Sequence, residues 1–169
     1  MTSADLLTDA FERVHGLVHD AVRDVPIDKL HERLDSKANP IAWLIWHLTR
    51  VQDDHIADAA GTEQVWTAQD FYERFGLTLP VGSTGFAHSS SEVDAVKVNS
   101  AKLLTDYHDA VHDMTVRYVR ELSDTDLDRV IDYNWSPPVT LGVRLVSVIG
   151  DTTQHAGQAE YLRGIFLRQ

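Results

Sequence analysis

The sequence of 169 residues contains no cysteine. Disulfide bonds, thiolate metal sites and cysteine nucleophiles are therefore excluded. If the protein takes part in thiol chemistry, the thiol must come from a small molecule. Histidine, by contrast, is abundant, with nine residues, so the functional question is which of these histidines form a site.

Positive charge is also scarce, since 15 lysines and arginines stand against 26 aspartates and glutamates, which gives a formal net charge of −11. A surface of this charge repels phosphate groups, which argues against nucleic acids and anionic membranes as partners. No apolar run approaches the roughly 20 residues that span a bilayer. The N-terminus lacks the positive-then-apolar order of a secretion signal, so a cytoplasmic protein is expected.

Apolar residues recur at helical spacing in four long segments, which predict four helices. The composition, with 43% hydrophobic residues, is typical of a soluble globular protein, and the length suits a single domain over residues 1–169. In chain order the predicted helices cover Ser3 to about Val25, Pro40 to about Ala60, Ser91 to about Tyr118, and about Thr140 to Phe166.

Residues 61–90 form a long connection between the second and third predicted helices. Thr67 is predicted to cap a short helix that Gly76 ends, and the segment after it is predicted to be a loop. A connection of this length inside a compact domain is usually functional and could cover a pocket. Because no segment shows strand-like alternation, the predicted fold is all-α, a four-helix bundle with one long crossover.

Three residues on the second and fourth predicted helices could bind a metal. Asp151 and His155 are four residues apart, so they lie on one helix face and can take adjacent positions around a metal. His47 lies in the apolar run WLIWHLT, where a buried imidazole needs a polar partner. If the two helices face each other, the three side chains converge and leave at least one coordination position open, as in catalytic sites. Gln158 could hydrogen-bond one of the ligands.

Other interpretations of these residues are common. A lone histidine in an apolar helix is more often a hydrogen-bonded core residue, and an aspartate–histidine pair at this spacing is commonly a surface ion pair. From the residues alone, a metal site and these alternatives are about equally supported. A di-iron carboxylate bundle is not indicated, because that class needs two Glu-x-x-His motifs and Glu12-x-x-His15 is the only one here.

The segments WLIWHLTRVQDDH and DTTQHAGQAEYLRG resemble the two signature regions of the DinB-like superfamily. This resemblance covers the whole chain and implies a four-helix bundle that holds one divalent metal through His47, Asp151 and His155. Asp151 departs from the family pattern, in which this position is commonly histidine and, in some thiol-dependent members, glutamate. Zinc is the expected metal, and manganese or nickel would also suit a site that contains aspartate.

Within that superfamily, the sequence resembles most the mycobacterial mycothiol S-transferases. The resemblance implies an enzyme that conjugates mycothiol, or a similar low-molecular-weight thiol, to electrophiles in detoxification, with the three ligands acting through the metal. We predict that Arg50, Asp54 and Gln158 contact the hydroxyl groups of this cosubstrate. The alternatives are a thiol-dependent isomerase of the maleylpyruvate type, a metal-dependent hydrolase and a non-catalytic metal-binding stress protein. A homodimer is compatible with a small bundle, but no apolar stripe identifies an interface.

The remaining histidines give weaker signals. Two pairs at i,i+4 spacing flank the core stripes of their helices and are predicted to be solvated or to lie at helix interfaces, namely His15 with His19 and His108 with His112. His55 lies about 12 Å along the helix axis from His47, too far to share its metal. The four tryptophans are predicted to lie in the core or in a pocket wall, namely Trp43, Trp46, Trp66 and Trp135.

Overall fold

The computed structural model describes all 169 residues, and most of them are helical. Nine helices and one two-stranded sheet follow one another along the chain, namely α1 (Ser3–Val22), α2 (Ile27–Leu30), α3 (Ile41–Ala60), α4 (Val65–Ala68), α5 (Phe71–Phe75), α6 (Ser90–Ala95), α7 (Ala101–Arg120), α8 (Asp124–Leu127), β1 (Val130–Asp132), β2 (Val139–Thr140) and α9 (Leu141–Phe166). The predicted all-α fold is confirmed.

The four long helices, α1, α3, α7 and α9, form the bundle. α1 packs against α7 and α9, and α3 packs against the same two helices, with little contact between α1 and α3 themselves. The helices therefore occupy the corners of a square in which α1 lies diagonally opposite α3. It follows that the α3–α9 contact and the α1–α7 contact lie on opposite sides of the bundle.

Local side-chain chemistry sets the ends of these helices. The hydroxyl of Thr2 accepts a hydrogen bond from the backbone N–H of Asp5, whose carboxylate accepts from the N–H of Thr2 in return, and this capping box starts α1. Thr2 is thus the cap, and α1 begins at Ser3 as predicted. Gly61 ends α3 with a positive φ of 68°, and the hydroxyl of Thr140 caps α9, close to the predicted bounds.

The predicted third helix is divided into α6 and α7. Ser89 caps α6 through a capping box, and Ser100 caps α7. Between them the chain is extended, so that the side chains of Val96 and Val98 both point into the core while Lys97 is exposed. Burying two valines by strand-like alternation takes precedence here over a continuous helix.

The small sheet was not predicted. β1 and β2 pair antiparallel, with Val130 opposite Thr140, and the turn between them carries Trp135, which is 66% exposed. Trp135 therefore does not lie in the core, the first of the two places predicted for it, because a two-stranded ribbon outside the bundle has no second layer to cover it. The other three tryptophans are buried as predicted. None of the helices combines the length and the apolar character needed to cross a membrane.

Candidate metal centre

His47 on α3 meets Asp151 and His155 on α9 where these two helices pack together. One nitrogen or oxygen from each side chain can be chosen so that all three lie within 4.8 Å of one another. The Nε2 atom of His155 lies 3.6 Å from Oδ1 of Asp151, and the two imidazole rings meet edge to face with centroids 4.8 Å apart. The structure thus brings together the three residues that the sequence singled out.

Hydrogen bonds orient both imidazoles toward one point. Nδ1 of His47 lies 2.5 Å from the carbonyl oxygen of Thr84, and since a carbonyl only accepts, Nδ1 carries the hydrogen. Nδ1 of His155 lies 3.0 Å from Oε1 of Gln158 and donates in the same way. Each Nε2 therefore keeps its lone pair, which is the arrangement that metal-binding histidines show.

The third side chain also fits a metal ligand. Oδ2 of Asp151 is buried and has no hydrogen-bond partner in the protein, a costly state for a carboxylate oxygen that a cation would relieve. Burial lowers the pKa of His47, which favours the neutral imidazole that metal binding requires. Two imidazole nitrogens and a carboxylate suit a divalent transition metal, so this group can hold one.

The crossover between α3 and α6 covers one side of this group. Gly85 has a φ of +96°, and a Cβ atom there would lie 2.5 Å from Nδ1 of His47 and 3.1 Å from the indole of Trp43. Only glycine allows the backbone to come this close. The indole of Trp43 also stacks on the His47 ring, with centroids 4.5 Å apart. The crossover therefore covers a pocket, as its length suggested.

Beside the ligands lies a cavity of about 340 Å³. Its wall combines two of the three ligands with polar side chains and two apolar ones, namely His47, Val51, Asp54, His55, Thr84, Phe86 and Asp151. Phe86 is 87% exposed and so lies at the rim. A small molecule in this cavity would contact His47 and Asp151 directly.

Comparison with known proteins shows the family of this chain. The family model of the DinB superfamily matches residues 10–159. The chain belongs to the DinB superfamily. A conserved protein from Enterococcus faecalis, known as a crystal structure, is similar in fold and sequence, with a TM-score of 0.93 and 31% identity over 100% of this chain and 99% of that one. No curated protein matches the chain significantly. DinB superfamily members are often metal-dependent enzymes.

Two of the three residues predicted to contact a cosubstrate lie near the candidate metal ligands of this DinB protein. Asp54 lines the cavity, and its Oδ1 accepts a hydrogen bond of 2.7 Å from Nε2 of Gln64. Gln158 orients His155 through the hydrogen bond described above. Its proximity to the site was predicted from its place three residues after His155 on the same helix.

The structure does not bring Arg50, the third of these residues, to the cavity. Arg50 is fully buried and donates to the carbonyl of Ser83 at 3.1 Å and to Oε1 of Gln64 at 2.8 Å. Its planar guanidinium thereby holds the crossover one residue before Thr84, the partner of His47. Arg50 acts as a positioning residue for the loop, and its buried geometry does not fit the predicted contact with a cosubstrate.

Asp53, which sequence reasoning missed, holds the start of the crossover. Its carboxylate is fully buried and accepts hydrogen bonds of 2.8 Å from the backbone N–H groups of Val65 and Trp66 and of 2.7 Å from the hydroxyl of Tyr107. Burial raises the pKa of Asp53, although these hydrogen bonds oppose the shift. The signal in the sequence was an Arg-x-x-Asp pair within a helix otherwise expected to be buried.

A second polar feature that sequence reasoning missed is the contact between His55, which lines the cavity, and Arg144. Nη1 of Arg144 donates to Nδ1 of His55 at 2.8 Å, and Nη2 donates to Asp132 at 2.9 Å. Burial and, next, the charge of Arg144 lower the pKa of His55. His55 is therefore neutral with its hydrogen on Nε2 and can donate to a molecule in the cavity. No local pattern indicated this contact, because it joins residues 89 positions apart.

Proposed function

We propose that this protein is a metal-dependent thiol S-transferase that conjugates mycothiol, or a similar low-molecular-weight thiol, to electrophiles in detoxification. The observation that carries the proposal is the group of His47, Asp151 and His155 at the wall of a cavity in a chain without cysteine. A thiol used by this protein must be a small molecule, and the cavity offers it a place beside the metal ligands. The resemblance of the two signature segments to the mycothiol S-transferases supports the choice of thiol.

The chemistry requires an activated thiol. A divalent metal held by the three ligands would lower the pKa of a coordinated thiol, so that the thiolate is present at neutral pH. The thiolate sulfur then forms a bond to the electrophilic carbon, the thiol proton passes to solvent, and the leaving group departs with its electron pair. The protein contributes orientation, because the Thr84 carbonyl and Gln158 fix both imidazoles before substrate arrives.

The polar wall of the cavity suits a hydroxyl-bearing cosubstrate. Asp54 accepts hydrogen bonds, and the Nε2–H of His55 donates one, so the two can bind neighbouring hydroxyl groups of a sugar-like thiol. Phe86 at the rim offers an apolar surface to the electrophile. These contacts support a thiol carrying polar groups as the cosubstrate.

The test is the disappearance of free mycothiol in the presence of monochlorobimane, measured with the metal-loaded protein. We expect wild type to consume thiol and to form the conjugate, and His155→Ala to do neither and to lose metal. Gln154→Ala is the matched control, because Gln154 is exposed on the same helix and bonds only to the backbone of Gly150. It should retain both metal and activity.

Three results would contradict the proposal. Metal-free wild type that conjugates thiol at the same rate would exclude the metal mechanism. Bound metal without thiol consumption for any electrophile would indicate a metal-binding protein without this activity. Isomerisation of a substrate at constant thiol concentration would instead indicate the isomerase alternative, since an isomerase returns its thiol unchanged.

A further inference from the structure

A second group of metal-ligand side chains lies between α1 and α7, on the side of the bundle opposite the first. His15 and His19 are four residues apart on α1, and Asp109 faces them from α7. The Nε2 atoms of the two histidines lie 2.8 and 2.6 Å from the same oxygen, Oδ1 of Asp109. One nitrogen or oxygen from each side chain lies within 4.8 Å of the other two.

Packing against α7 orients the ring of His15. It stacks on His112, with centroids 4.3 Å apart and planes 24° apart, and it is nearly parallel to His108 at 5.8 Å. Both of these rings are buried. Because His15 lies against two buried rings, its Nε2 atom is directed at Asp109 with little freedom to turn away.

We propose that His15, His19 and Asp109 bind a second divalent transition metal, of the zinc, nickel or copper class, that joins α1 to α7. Imidazole and carboxylate donors suit these metals. A tetrahedral zinc ion with bonds of about 2.0–2.1 Å holds neighbouring donors about 3.4 Å apart. The two histidines need to move from Asp109 by less than 1 Å to reach that spacing, which side-chain torsions allow.

The charge around the group favours a cation over a simple ion pair. A single protonated histidine would satisfy Asp109, yet two imidazoles converge on one of its oxygens, and no lysine or arginine pairs with it. The chain as a whole carries a formal net charge of −11. A metal replaces the two hydrogens that now lie between the rings and the carboxylate, and its positive charge compensates the surrounding acids.

The partial exposure of the site defines what such a metal does. The three side chains are 31%, 38% and 43% exposed, so water completes the coordination and the metal exchanges with solution. Since the ligands come from two helices, binding requires the folded bundle and stabilises it according to the metal concentration. The second site is therefore a metal clip between α1 and α7, independent of the proposed function of the first.

The test is calorimetric titration of the metal-free, full-length protein with zinc chloride. We expect two zinc ions per chain in wild type, one in His47→Ala/His155→Ala, and none when Asp109→Asn is added to that double variant. Asp113→Asn is the matched control, because Asp113 lies one turn further along α7, is exposed, and loses the same charge. It should leave the zinc stoichiometry unchanged.

A second measurement separates lost binding from lost folding. His15→Gln and His19→Gln should each remove one zinc ion while the circular dichroism of the protein stays that of wild type. Zinc should raise the melting temperature of His47→Ala/His155→Ala, and Asp109→Asn should abolish that rise. The proposal is overturned if His47→Ala/His155→Ala binds no zinc, binds it only in the millimolar range, or binds it equally well with Asp109→Asn.

Discussion

Two groups with the same donor set, two histidines and one aspartate, lie on opposite sides of one bundle. Each combines an i,i+4 pair on one helix with a third residue from the neighbouring helix. In the α3–α9 group, His47 is 7% exposed, and both histidines have their Nδ1 atoms held by hydrogen bonds. In the α1–α7 group, His15 and His19 are about one-third exposed and make no hydrogen bond through Nδ1.

The difference shows that ligand spacing and catalytic capacity have separate origins. Helical spacing brings donors together in both groups, since positions i and i+4 share a face. The α3–α9 group is covered by the crossover, and two of its three side chains line a cavity. We therefore expect both groups to bind metal, and only the covered one to act on a substrate.

The largest expected effect comes from removing one histidine of each group in turn. His47→Ala should lose one metal ion per chain and reduce thiol conjugation to the uncatalysed rate. His19→Ala should also lose one metal ion, because its group has the same number of ligands, yet conjugation should stay at the wild-type rate. Metal analysis and thiol consumption measured on both variants test the comparison. Loss of activity in His19→Ala with an intact fold would show that the two groups are not separate.

A feature of this fold or of its candidate sites could be predicted from the sequence where a short segment of the chain determines it. The shared helix face of Asp151 and His155 and the apolar surroundings of His47 are visible in short segments. That these two helices face each other was implied by the resemblance to the DinB-like superfamily. The partner of His15 and His19 was not predicted, because Asp109 reaches them through the relative register of α1 and α7. That register is set by packing along the whole bundle.

The crossover shows the same limit. Its length indicated a functional loop, but the contact of the Thr84 carbonyl with His47 depends on where Arg50 and Asp53 hold the chain. Arg50 was assigned to the cosubstrate as a hydrogen-bonding residue near the mouth of the predicted site. Arg50 is instead completely buried and contacts Ser83, Gln64 and Tyr107. No sequence pattern predicts these contacts, because they join residues far apart in the chain.

Gly85→Ala tests whether the contact between the crossover and His47 strengthens metal binding by the α3–α9 group. The added Cβ would lie 2.5 Å from Nδ1 of His47, so the loop must move and the Thr84 carbonyl can no longer orient the ring. Loss of such an orienting contact typically weakens metal affinity about 10–100-fold, which competition with a chromophoric chelator measures. Gly82→Ala is the control, because its Cβ would meet no atom within 4 Å. Equal metal affinities in the two variants would show that the crossover does not orient His47 for metal binding.

His108, which is buried beside His15 of the α1–α7 group, should make the stability of the fold depend on pH. Burial, followed by the charges of His15 and His112, lowers the pKa of His108 to about 3. Below the ordinary histidine pKa of about 6.5, the unfolded chain binds a proton that the folded chain excludes. The contribution of His108 to stability is thus complete above that pH and is lost as the pH falls toward 3.

Urea unfolding of metal-free protein at several pH values tests this dependence. Because the folded chain excludes one proton, its free energy of unfolding falls by about 1.4 kcal/mol for each pH unit of acidification. His108→Gln should remove that part of the dependence of the free energy of unfolding on pH. Asp109, His19 and Glu12 also lie at this cluster, so the difference between the two proteins is the informative quantity. Identical slopes would mean that His108 takes up its proton without unfolding.

The smallest effect concerns the hydrogen bond between His155 and Gln158. Gln158→Leu removes the acceptor for Nδ1 of His155 while keeping a side chain of similar size. The Nδ1 atom of His155 then has no hydrogen-bond partner, like the Nδ1 atoms of the two histidines in the α1–α7 group. Because Gln158 is exposed and water can replace part of its role, we expect the low end of the usual range, a loss of about tenfold in metal affinity. Gln154→Leu, at an exposed position four residues earlier, should leave the affinity unchanged. A Gln158→Leu protein that binds metal as tightly as wild type would show that Trp43 and the packing of α9 orient His155 without this hydrogen bond. The contrast between the two groups would then depend on His47 and the crossover alone.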